Sequence, residues 1–77
     1  MKFAKLFDLQ DKEQVLLTVN YDDDDDNYKL NITTDFGNAR AEMKLGFSEE
    51  ERALNAMDKY KIEDAEKFRS SMSVYFT

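Results

Sequence analysis

Hydrophobic and polar residues alternate along the first half of the chain and recur at helical spacing along the second. From Gln14 to Tyr21, residues Val15, Leu17, Val19 and Tyr21 fall on one side and Gln14, Leu16, Thr18 and Asn20 on the other, the period of a half-buried β-strand. The same period returns in Tyr28, Leu30, Ile32, Thr34 and Phe36, opposed by Lys29, Asn31, Thr33 and Asp35, and again in Ala39, Ala41, Met43, Leu45 and Phe47. Consecutive strands with a common apolar face are expected. Between the last two, Gly37-Asn38 fits a two-residue hairpin turn with glycine at the first central position, where a positive φ is required. Such a turn sets the register: Phe36 faces Ala39, Asp35 meets Arg40, and Thr34, Ile32, Leu30 and Tyr28 pair with Ala41, Met43, Leu45 and Phe47. The segment Phe3 to Leu9 suggests a further strand. Its apolar residues fall on both sides, Phe3, Phe7 and Leu9 against Ala4 and Leu6, so the pattern assigns it no register.

After Phe47 the period lengthens to about 3.6. Ser48-Glu49-Glu50-Glu51 has the form of a capping box, in which the serine oxygen accepts from a backbone N–H three residues on and Glu51 reaches back. Ala53, Leu54, Met57 and Tyr60 form one apolar stripe; Ile62, Ala65, Phe68, Met72 and Tyr75 or Phe76 form another. Continuing the first stripe would bring Lys61 or Asp64 into the core, so a break is expected between Tyr60 and Glu63 without help from Gly or Pro. The expected fold is α+β: one domain, an antiparallel meander of three or four strands with two C-terminal helices packed on one face.

Composition removes several classes of function. The chain of 77 residues has no cysteine, hence no disulfide, thiolate nucleophile or sulfur metal site. The N-terminus lacks the apolar run of a signal peptide, and no segment approaches the roughly 18 apolar residues of a membrane span. A soluble, cytoplasmic protein without a membrane partner is expected. Seventeen acidic against eleven basic residues give a net charge of −6, which disfavours direct contact with nucleic acid or anionic lipid. There is no histidine, no glycine-rich phosphate loop among the two glycines, and no base beside Ser70, Ser71 or Ser73. Neither enzymatic activity nor a cofactor is expected. Asn31-Ile32-Thr33 matches a glycosylation sequon, but on a strand in such a chain it reads as a chance match.

The feature that folding does not require is the run Asp22, Asp23, Asp24, Asp25 and Asp26. With Asn27 it connects the strands ending at Tyr21 and starting at Tyr28, and the hairpin register brings Phe47, and hence Glu49, Glu50 and Glu51, to the same end of the sheet. Five aspartates and three glutamates make eight carboxylates at one pole. Repulsion there, screened over about 8 Å at physiological salt, is relieved by a cationic partner. Tyr21 and Tyr28 stand at its rim as further contact residues. In size, charge, lack of cysteine and strand-then-helix layout, the chain resembles the small acidic accessory proteins of phages and prophages, carried here by Asp22 to Asp26 and Glu49 to Glu51. Members of that group, anti-CRISPR and anti-restriction proteins among them, act as DNA mimics on host nucleoprotein machinery. The resemblance implies a non-enzymatic inhibitor of a basic, nucleic-acid-binding protein or complex.

Two alternatives stand beside it. One is a small structural or interaction domain in which the aspartates form a solvated turn that protects a sheet edge. The other is weak calcium binding: Asp22, Asp24 and Asp26 have the spacing of the first three ligands of an EF-hand, but Asn27 and Thr33 replace its glycine and its bidentate glutamate. Finally, Phe3, Phe7, Leu9 and Leu16 offer an apolar patch on the sheet face away from the helices. A homodimer through that patch, or through the first strand, is compatible with the pattern.

Overall fold

The alternating segments close into one four-stranded antiparallel sheet, in the computed structural model that describes residues 3–76. The strands are β1 (Ala4–Asp8), β2 (Gln14–Asp22), β3 (Asn27–Asp35) and β4 (Arg40–Phe47), in spatial order β1-β2-β3-β4. Two helices follow, α1 (Glu50–Lys59) and α2 (Ile62–Ser73). Val15, Leu17, Leu30 and Ile32 point to the same side of the sheet and bury themselves against Ala53 and Met57 of α1 and Ala65 and Phe68 of α2. Each fully buried aliphatic side chain of this kind contributes about 1.5–3 kcal/mol.

The β3–β4 hairpin has the expected register throughout, from Asp35 with Arg40 to Tyr28 with Phe47. Gly37 takes φ 90°, the backbone that a side chain would strain. The turn is held by Phe36 N donating to Ala39 O (2.8 Å) and Gly37 N donating to the Asp35 carboxylate (2.7 Å). β1 pairs with β2 of the same chain, Ala4 opposite Thr18 and Asp8 opposite Gln14. Its connection to β2, Gln10–Lys12, places Asp11 and Lys12 in the left-handed region, at φ 58° and 64°. Lys5 and Phe7 lie on the helix side, where Phe7 and Leu9 pack against the core. Phe7 and Leu9 are thereby removed from the expected outer apolar patch, in which Leu16 is instead faced by Leu6. Periodicity missed this because Lys5 takes a position on the inner face that an apolar residue normally holds.

The helices depart from expectation in detail. The capping box at Ser48 does not form: Glu49 occupies the N-cap in extended conformation (φ −130°, ψ 138°) without a side-chain cap. Pairing holds the chain in the sheet as far as Phe47, and Ser48 and Glu49 are both needed to turn it over the sheet face. The break falls at Tyr60 and Lys61, both extended. Lys5 Nζ donates to the carbonyls of Met57 (3.3 Å), Asp58 (3.3 Å) and Tyr60 (2.8 Å) at the helix end, where carbonyls run short of backbone donors; Met57 O also accepts from Tyr60 N (3.2 Å). Asp64 then accepts from Lys61 N (2.9 Å) and starts α2.

Within α2, Ala65 and Phe68 are buried, and beyond its C-terminus Phe76 rather than Tyr75 packs inward, its ring 4.9 Å from that of Phe36. Ile62 stays exposed because steps of three residues drift about 60° around a helix and carry it off the buried face. Arg69 fastens α2 to the hairpin. Its guanidinium donates to Thr34 Oγ1 and Asp35 O, both at 2.7 Å, pairs with Glu13 and lies 3.9 Å from the centre of the Phe36 ring. Met43 and Leu45 belong to the apolar face yet remain 40 % exposed, since β4 is an edge strand that the helices cover only in part.

Leu16 and Leu17 are neighbours in sequence on opposite faces, 40 % and 0 % exposed. Leu17→Ala is expected to lower stability in urea unfolding by about 2–5 kcal/mol. Leu16→Ala is expected to change it by roughly 0.5 kcal/mol or less.

Candidate functional site

The acidic run is a structured turn. Asp22 is the last residue of β2 and pairs with Asn27, so the connecting loop is Asp23–Asp26, shorter than the sequence pattern alone implies. Asp22 turns its carboxylate inward to accept from the backbone N–H of Asp24 (2.9 Å) and of Asp25 (3.4 Å), the Asx arrangement that competes well with water in tight turns. Asp25 pairs with Lys29 (2.8 Å), and that ammonium holds its carboxyl below the usual carboxylate range. Asp26 adopts φ 52°, a conformation that Asp and Asn tolerate better than other side chains, and accepts a hydrogen bond from the Tyr21 hydroxyl. That bond is the main reason the Tyr21 hydroxyl is raised to about 12, with the negative field of Asp26 and Asp23 adding to it. Asp23 and Asp24 have no side-chain partner among the described residues and stand exposed at the tip.

The rim tyrosines form one unit. Tyr21 and Tyr28 face each other across β2 and β3 with rings 5.2 Å apart, edge to face. Tyr28 packs against the core, whereas Tyr21 is 47 % exposed. Phe47 sits beside Tyr28 on the next strand, so the start of α1 and the aspartate turn share one end of the sheet. The glutamates there divide. Glu49 makes a surface ion pair with Arg52 (3.6 Å), while Glu50 and Glu51 line a groove against Ala4, Lys5 and Leu6 of β1.

Two residues outside the expected set complete this end. Lys29, between Asn20 and Gly46 on the outer face, supplies the charge that orders Asp25. Gly46 lets the Asn27 amide lie close over the strand: a Cβ there would come within 2.6 Å of Asn27 Nδ2 and push that side chain aside. A glycine inside a strand pattern is a recognisable sign of such an approach. The sequon residue Asn31 is buried and donates to Asn20 Oδ1 and Thr18 Oγ1, a cross-strand polar ladder. Among the described residues no three carboxylates gather as a metal ion requires, and Asp22 and Asp26 direct their oxygens to the turn backbone and to Tyr21 respectively. No helix is long and apolar enough to cross a membrane. Comparison with protein families, with characterised proteins and with solved structures yields no match, so chemistry and geometry carry the functional reading.

Because the Tyr21 hydroxyl is a donor, its bond to Asp26 exists only in the neutral form. The bond is intact below the ordinary tyrosine value of 10.0 and is lost as pH rises from there through about 12. Ring-proton NMR titration is expected to place Tyr21 near 12, and Asp26→Asn to return it toward 10.

Proposed function

We propose that the protein is a non-enzymatic binding module whose acidic turn engages a basic, nucleic-acid-binding protein or complex and occupies the surface that DNA or RNA otherwise takes. One observation supports this above the rest: Asp22, Asp25 and Asp26 serve the turn itself, while Asp23 and Asp24 have no side-chain partner among the described residues and stand on the hydrogen-bonded loop so formed. A turn ordered before contact loses little conformational freedom on binding, so more of the charge attraction appears as affinity. The net charge of −6 steers a cationic partner toward the protein and raises the association rate. Glu49 and the exposed ring of Tyr21 extend the contact at the same end of the sheet. Action of this kind matches that of the acidic phage and prophage accessory proteins that the chain resembles.

A second reading, a solvated turn with no partner, draws support from the same contacts, since three of the five aspartates already have a structural task. The two readings separate on Asp23 and Asp24. The double variant Asp23→Asn, Asp24→Asn leaves every turn contact in place. In affinity capture from host lysate, the wild type is expected to recover a nucleic-acid-binding complex that added DNA displaces. The variant is expected to recover it with at least about tenfold weaker binding, mainly through slower association. Equal recovery by both proteins would favour the solvated turn.

A further inference from the structure

β1 is the first strand of the sheet and, among the described residues, has no neighbour on its outer side. Phe3 O accepts from Val19 N (2.9 Å) and Leu9 N donates to Glu13 O (2.7 Å), so the odd-numbered residues of β1 bond inward to β2. Ladder alternation then turns the N–H and C=O groups of Ala4, Leu6 and Asp8 outward. Beside this open edge, between β1 and α1, lies a groove of about 830 Å³. Its floor is apolar, with Leu54 and Met57 of α1. Its wall is acidic: Glu50 and Asp58 lie four residues either side of Leu54 on one face of the helix, and Glu51 is adjacent. Among the described residues none of these three carboxylates forms an ion pair. Lys5, which also lines the groove, is occupied by the carbonyls at the end of α1.

From this juxtaposition we infer that the β1 edge is a strand-addition site for an extended segment of a partner protein carrying Arg or Lys at every second position. The added strand takes its backbone bonds from Ala4, Leu6 and Asp8. Its alternate side chains enter the groove, where long basic residues lay their methylene stems over Leu54 and place their charges against Glu50, Glu51 and Asp58. Charge decides the occupant. A second copy of this chain would bring an identical acidic wall and another net −6 to the same edge, whereas a basic strand neutralises it. The site is separate from the aspartate turn and does not use Asp23 or Asp24.

The probe is a capped peptide of alternating Arg and Val, followed by amide hydrogen exchange and NMR shifts. Binding is expected to slow exchange at Ala4, Leu6 and Asp8 by at least about tenfold and to shift the Leu54 methyl groups. Affinity is expected to fall at least about tenfold in Glu50→Lys, Asp58→Lys and to be unchanged in Asp23→Asn, Asp24→Asn, which keeps this test independent of the acidic-turn reading. The same peptide N-methylated at alternate amides is expected not to bind the wild type. Equal binding of the methylated peptide would overturn strand addition, as would absence of binding by the parent peptide. Protection of the β1 amides that grows with protein concentration alone would assign the edge to a second copy instead.

Discussion

The ammonium of Lys5, set against the end of α1, is the contact on which the arrangement of sheet and helices depends. A lysine on the inner face of a sheet is costly unless its charge meets acceptors, and three carbonyls from Met57, Asp58 and Tyr60 provide them. The positive charge also complements the negative end of the helix dipole. One side chain thereby ties β1, paired to β2 through its backbone, to the end of α1, where Tyr60 packs on Phe7, ring centres 6.1 Å apart. Its ammonium is turned to those carbonyls rather than to the carboxylates along α1, which among the described residues form no ion pair in the groove.

Arg69 does at the opposite end what Lys5 does at the edge. Its planar fork meets Thr34 Oγ1 and Asp35 O while its face lies on Phe36, a combination that lysine cannot reproduce. Thr34 is buried and donates in turn to Gln14 O (2.8 Å), so the guanidinium connects α2 to the ends of β2 and β3 through satisfied groups. Between the two cations the aliphatic core needs only to fill space. For a chain of this size without disulfides, these two polar anchors add orientation to a core of modest extent.

Charge is distributed by role across the rest of the surface. Asp22, Asp25 and Asp26 hold a turn, Glu49 pairs with Arg52, and Asp23, Asp24, Glu50, Glu51 and Asp58 are left to the solvent or a partner. These last fall on two surfaces, the tip of the β2–β3 turn and the groove beside β1. In the readings proposed above each takes a cationic counterpart of different form, a folded basic surface at the turn and an extended strand at the groove.

Much of the fold is written in local pattern. Alternation from Gln14 onward, the Gly37-Asn38 turn and the change of period after Phe47 determine three strands, one register and two helices, because side-chain spacing and a required positive φ act over a few residues. The acidic turn is legible for the same reason, together with its place beside Tyr21 and Tyr28. The pattern could not decide the register of β1, whose Lys5 breaks the apolar code. Nor could it decide the failure of the Ser48 cap, since chain direction out of β4 overrides local capping. The groove between β1 and α1 was equally hidden, because residues 4–6 and 50–58 come to line one groove only in the folded chain, where Lys5 reaches three distant carbonyls at the end of the helix. What the sequence determined by itself was what neighbours in the chain can impose; the tertiary structure decided which charges find partners inside the protein and which are left to meet them outside.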